Sequence, residues 1–277
     1  MHDDRCPGPD LSVAAEFAPT HEVLEGNAAL GLVLVCDHAS NALPPPYGAL
    51  GLCEGEFQRH IAYDIGAAGV TRRLSAALGA PAVLTRFSRL LIDCNRGTDD
   101  PTLIMRLSDG AVVPGNRNLD TAERERRIRL YYDPYHRAID AVIDRCLGLD
   151  VPPVLFPIHS FTDMWKGRAR PWHAGVLWDC DDRVARPLIE ELRYEADLVI
   201  GDNEPYSGRL KGDTMWRHGT MRGIPHSIIE IRQDLIADDR GETEWAGRLE
   251  KILGRMLACP ILEPELKCIR HFGSHAE

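Results

Sequence analysis

Four apolar runs in this chain stop abruptly at clusters of polar, chemically capable residues. They are LVLVCDHASN (residues 32–41), RLLIDCNRG (89–97), VLFPIHSFT (154–162) and SIIEIRQD (227–234). Each is short and rich in Val, Ile and Leu, the pattern of a strand buried on both faces of a sheet. In open α/β sheets, ligands sit beyond the carboxyl ends of the strands. The four ends carry His38; Asp93, Asn95 and Arg96; His159; and Glu230 and Arg232. They therefore predict one convergent site.

Helical periodicity fills the intervals. In EFQRHIAYDIGAAGVTRRLSAALG (56–79), Phe57, Ile61 and Ile65 recur every four residues and Leu74 and Leu78 continue the face, which predicts a helix. Gly79 and Pro81 stop it. Short strands are expected at 82–84 and 90–94. The stretch 97–119, with Gly110, Pro114 and Gly115, lacks periodicity and reads as a loop near the site. Asp120 is placed to cap a helix through TAERERRIRLYY, which Pro134 breaks or restarts before it ends at Gly148. GVLWD (175–179) is a further strand, and 181–196 and 243–257 are helices. The glycine-rich, polar stretch 201–224 suits a binding loop rather than a core, and residues 1–20 read as a loose arm. No repeat, linker or low-complexity run interrupts the chain. One domain over 1–277 is expected, a three-layer α/β/α sandwich with a mostly parallel, mixed central sheet.

Composition narrows the function. The chain has 277 residues, 44% hydrophobic and 27% charged, as in ordinary globular proteins. A net charge of −10 with no basic block argues against a nucleic-acid partner, so an anionic substrate would need a local arginine cluster. MHDDRCPGPD lacks the basic and apolar regions of a signal peptide, and no apolar run is long enough to span a membrane. The eight cysteines form no C-x-x-C pair and read as buried thiols of a reducing, cytoplasmic compartment. The sequence does not specify an oligomeric state.

The site residues suit metal-assisted hydrolysis of an anionic substrate. A lone strand-end histidine is ordinarily a hydrogen-bonded loop residue, but His38 and His159 at one sheet edge together suggest metal ligands. Asp64 could complete a His₂-carboxylate set. His60 one turn earlier would share a helix face with it, and surface exposure of that pair is the alternative. Glu230 interrupts an apolar run, where a carboxylate is costly unless paired or functional. Its candidate roles are general base and buried partner of Arg232, two residues on. Asn95 and Arg96 are placed to bind a carboxylate.

The ordered motifs CDHASN, AYDIGA, SRLLIDCNR, PIHSF, GDNEPYSG and IIEIRQDL resemble the N-formylglutamate amidohydrolase family over roughly residues 30–260. The resemblance implies a fold similar to that of zinc carboxypeptidases and aspartoacylases. It makes His38 and His159 zinc ligands, Glu230 the general base, and Asn95 and Arg96 carboxylate-binding residues. Those zinc enzymes carry H-x-x-E after the first strand. Here Asn41 stands at the glutamate's place, and Asp64 is the substitute candidate.

The implied reaction is zinc-assisted hydrolysis of N-formyl-L-glutamate to formate and glutamate. Glu230 would move the proton, and Arg96, with Asn95, Arg89 or Arg232, would hold the substrate carboxylates. Two rivals stay open: a zinc deacylase or peptidase acting on another N-acyl amino acid or peptide end, and a non-catalytic binding protein.

Overall fold

The computed structural model describes residues 19–195 and 197–276, so the arm expected at 1–20 lies almost wholly outside the described residues. One sheet has seven strands: β1 (His21–Leu24), β2 (Leu32–Cys36), β3 (Ala82–Thr85), β6 (Val154–Phe161), β9 (Ala174–Leu177), β10 (Ile200–Asp202) and β11 (Ile228–Arg232). Two short hairpins supply the others, β4 (Leu107–Ser108) with β5 (Ala111–Val112), and β7 (Met164–Trp165) with β8 (Arg168–Ala169). The sheet order is β1-β3-β2-β6-β11-β9-β10. Strands β3, β2, β6 and β11 run parallel, β1 is antiparallel on one edge, and β9 is antiparallel to β11. The sheet is mixed and mostly parallel, as expected.

Alternation along β2 builds the layers. Leu32, Leu34 and Cys36 pack towards α1 (Ala67–Leu78), α4 (Ala185–Arg193) and α6 (Asp239–Leu257). Val33 and Val35 pack towards α3 (Asp133–Leu147), through Tyr135, Ile139 and Ile143. Both faces of the strand are buried, which is why its sequence is continuously apolar. Each such side chain contributes about 1.5–3 kcal/mol of burial. The layers are therefore helix, sheet, helix.

Several expectations at this level are corrected. The 56–79 helix begins only at Ala67. Gly66 takes φ +77, and a Cβ there would lie 2.0 Å from the Ile236 carbonyl, so the chain turns sharply before α1. Phe57 and Ile61, whose spacing suggested a helix face, instead join a satellite cluster with Leu50, Ala62, Leu90 and Val113. No strand forms at 90–94 either. The Leu90 and Leu91 carbonyls there are satisfied by the side chains of Asn116 and Arg127 (2.8 and 2.9 Å) rather than by a ladder.

Asp120 caps α2 (Thr121–Arg127) as expected, accepting the Glu123 N–H at 2.8 Å. Pro134 does not break the segment. A π-type turn (Ile128–Tyr132) joins α2 to α3, and Pro134 sits in the first turn of α3. The polar stretch 201–224 carries β10 and the short helix α5 (Thr214–His218), with Asp213, Thr214, Met215 and His218 buried. Strand β1 and the short helix α7 (Glu263–Leu266) add to the elements expected from the sequence.

Candidate metal and catalytic site

The sheet delivers the first side chains. His38 stands just past β2, and the parallel register of β11 on β6 sets Glu230 opposite His159. Asp64 comes from the turn before α1, whose backbone is tied to the first strand end by Asp64 N–H donating to the His38 carbonyl (3.0 Å). That turn, rather than a helix face, places Asp64 between the histidines. Its Oδ2 lies 3.2 Å from His38 Nδ1 and 2.8 Å from His159 Nδ1.

Each imidazole is gripped from behind by another carboxylate. His38 Nε2 meets Asp93 Oδ1 at 2.7 Å, and His159 Nε2 meets Asp37 Oδ2 at 2.9 Å. Asp93 in turn accepts from Arg89 Nε and NH2 (3.0 and 2.6 Å) and from the Asn95 N–H (2.9 Å). Asp37 accepts from the Tyr135 hydroxyl (2.8 Å) and the Thr214 hydroxyl (2.6 Å). Carboxylates that fix the far nitrogen of a histidine are the usual support of a metal-binding imidazole.

The facing atoms of His38, Asp64 and His159 lie within 4.8 Å of one another. Zinc bonds of about 2.0–2.2 Å place tetrahedral ligand pairs roughly 3.3–3.6 Å apart, so the two pairs that share Asp64 need open by less than about an ångström to admit an ion. Charge points the same way. Three buried carboxylates (Asp37, Asp64, Asp93) and the Arg89 guanidinium leave the cage two positive charges short of neutral. Two imidazolium ions would make up that difference, and both nitrogens of each ring face carboxylates. Burial and the nearby Arg89 oppose protonation of His38, but Asp93 and Asp64 outweigh them and raise its pKa. Against burial, hydrogen bonds donated to Asp37 and Asp64 hold the His159 pKa well above its ordinary value. The carboxylates respond in kind: despite burial, Asp64 is lowered by His38 and His159, and Asp93 by Arg89 and His38. A divalent cation with two neutral imidazoles carries the same charge, so the residues fit such an ion.

Glu230 is the exception among these buried acids. Its Oε2 has no hydrogen-bond partner, and burial pushes its carboxyl up to about 7 against the opposing charge of His159. A cavity of about 400 Å³ opens over these groups. His38, Asp64, His159, Glu230, Arg89, Asn95 and Arg96 all line it, so seven of the eight expected site residues meet. Arg232 does not line it. It pairs with Asp234 (2.7 Å) and donates to the Arg170 and Trp172 carbonyls, so the suggested Glu230–Arg232 ion pair is absent. Arg89 is occupied by Asp93 and Asp64 and braces the cage. His60 reaches the wall but turns towards Asp109 (3.6 Å), and Asn41 donates to the Phe57 carbonyl.

Sequence reasoning missed three contributors. Asp37, directly before His38 at the end of β2, supports His159. Asp213 lines the cavity, caps α5 through the Trp216 N–H (2.6 Å), and is pushed by burial up to about 7. Arg209 brings a further guanidinium to the wall. The aspartate directly before His38 was a visible signal for Asp37; nothing in the loop sequence marked Asp213 or Arg209.

Residues 30–237 match the sequence profile of the N-formylglutamate amidohydrolase family. No curated protein matches the chain. Among solved structures, a gene product of Agrobacterium tumefaciens is similar at 35% identity and a TM-score of 0.80, covering 86% of this chain and 94% of its own. An N-formylglutamate amidohydrolase from Ralstonia eutropha shares the fold, at 22% identity and a TM-score of 0.63, with 86% and 97% covered.

Proposed function

This chain belongs to the N-formylglutamate amidohydrolase family, and from that premise we propose that it is a metal-dependent hydrolase of small anionic N-acyl amino acids, with N-formyl-L-glutamate as substrate. It is a hydrolase acting on linear amides. The observation that carries the metal reading is the cage: two imidazoles and a carboxylate face one point, and each imidazole is backed by a further buried aspartate. His38, Asp64 and His159 would hold the ion, and zinc is the metal this donor set favours. When bound, zinc supplies Lewis acidity to the amide carbonyl and lowers the pKa of water to ~7.

The protein's own groups do the rest. Glu230 is free to accept a proton from the attacking water and return it to the departing amine, because no neighbour occupies its Oε2. Arg96 lines the cavity with its Nη1 on the Asn95 carbonyl (2.7 Å) and its Nε on the Thr102 hydroxyl (3.2 Å), and its Nη2 is left to bind a substrate carboxylate. Asn95 accepts the Thr214 N–H through Oδ1 (3.0 Å), which leaves its NH2 as a donor to the substrate. Arg209 is the nearest candidate for a second carboxylate. Hydrolysis would give formate and glutamate. Among the described residues no helix is long and apolar enough to cross a membrane.

One observation favours a second reading. Trp165, Leu177, Leu210 and Ile228 give the same cavity an apolar wall, which suits a bulkier acyl group than formyl. The test is product release from N-formyl-, N-acetyl- and longer N-acyl-glutamate, with and without a chelator. Chelator-sensitive formate release supports the first reading, and preference for a longer acyl chain the second. Hydrolysis indifferent to chelation would overturn the metal role.

A further inference from the structure

A second group of metal-ligating side chains lies outside the cavity. The turn after β9 brings Asp179 and Cys180 against His275 of the C-terminal segment. Cys180 Sγ is 3.0 Å from His275 Nδ1 and 3.7 Å from Asp179 Oδ1, and His275 Nδ1 is 3.4 Å from the same oxygen. The sulfur–oxygen and nitrogen–oxygen separations lie close to the edges of a tetrahedral zinc shell, about 3.3–3.6 Å for bonds of about 2.3 Å to sulfur and 2.0–2.2 Å to nitrogen and oxygen, and the sulfur–nitrogen pair would open by about half an ångström to join them.

The supporting contacts resemble those of a built site. Asp179 is buried, and its other oxygen accepts from the Ser274 hydroxyl (2.6 Å) and the His275 N–H (2.8 Å), which aims Oδ1 at the sulfur and the imidazole. The segment bearing His275 is anchored elsewhere too. Arg183 donates to the Glu265 and Cys268 carbonyls and lies over the Phe272 ring, and the Arg270 N–H donates to Gly223 O (2.8 Å). A positive charge already leans on the group, since Arg209 Nε is 3.7 Å from Asp179 Oδ1. Partial burial and the Asp179 charge push the Cys180 thiol up, which argues against a free thiolate nucleophile.

We propose that Asp179, Cys180 and His275 form a second divalent-metal site, selective for zinc-like ions, that clamps the C-terminal segment to the turn after β9. A thiolate in the set disfavours magnesium and calcium, and the fourth position is open to water. The site is independent of the cage, which contains no sulfur.

Cobalt(II) separates the two sites. Thiolate ligation gives a charge-transfer band in the near ultraviolet that histidine and carboxylate ligation does not. Metal-free full-length protein titrated with cobalt should bind about two equivalents and develop that band. Cys180→Ser and His275→Ala should each lose the band and one equivalent while keeping their fold and amide hydrolysis. Asp64→Asn should lose the other equivalent and keep the band, so the cage reading can fail without this one. No band in wild-type protein under excess cobalt, or an undiminished band in Cys180→Ser, would overturn the proposal.

Discussion

His159 and Glu230 face each other across adjacent parallel strands, both buried, yet their surroundings differ completely. Around His159 and His38 every facing polar atom is engaged: both nitrogens of each ring meet a carboxylate, and those carboxylates meet Arg89, Tyr135 or Thr214. Glu230 keeps one oxygen without a partner. A satisfied network is rigid and holds what is placed in it, whereas an unsatisfied buried carboxyl costs stability and stays available to a ligand. One strand pair thus carries both the holding part of the site and its reactive part.

The sharpest way to break the holding part is Asp64→Asn. This near-isosteric change removes the charge that both histidines share, and it should abolish tight metal binding and turnover together; full metal occupancy by atomic absorption would refute the ligand assignment. Arg96→Lys acts on the substrate side. Loss of the planar fork should cost about 1.5–3 kcal/mol of charge-assisted hydrogen bonding, read as a KM about 10- to 150-fold higher. Wild-type KM would move the carboxylate site to Arg209.

The charge argument makes a finer prediction. Both nitrogens of His38 and of His159 face carboxylates, and both pKa values are raised, so metal binding should displace protons from the cage. Calorimetry in buffers of different ionisation enthalpy counts them, and no release would contradict the charge balance. The smallest effect belongs to Arg232→Ala. Its partner is the half-exposed Asp234 rather than Glu230, so stability should fall by about 1 kcal/mol or less while KM stays put.

The strand-borne half of the site was legible in the sequence because a buried strand is continuously apolar, so the polar residue that interrupts or ends it stands out. His38, His159 and Glu230 were found that way. The loop-borne half was not. The four-residue spacing of Phe57, Ile61 and Ile65 imitated a helix while satisfying a satellite cluster, so Asp64 was identified for its chemistry but put on the wrong element. Period-two reasoning paired Arg232 with Glu230, yet β11 ends at Arg232 and Asp234 captures the side chain just past it. Asp213 sits in a polar, glycine-rich stretch whose burial depends on packing against β6 and α3, contacts that local composition does not encode.

Glu230→Gln tests the division between holding and reacting most directly, with metal content, melting temperature and kcat measured on one preparation. The carboxyl is raised from 4.5 in the unfolded chain to about 7 in the fold. The folded state therefore binds this proton more tightly, and metal-free wild type loses stability as pH climbs through that interval. The glutamine variant lacks that loss, so it should be at least as stable as wild type at pH 8 and fully metal-loaded, with kcat lower by ~10²–10⁴-fold. A variant that turns over at the wild-type rate would contradict the account.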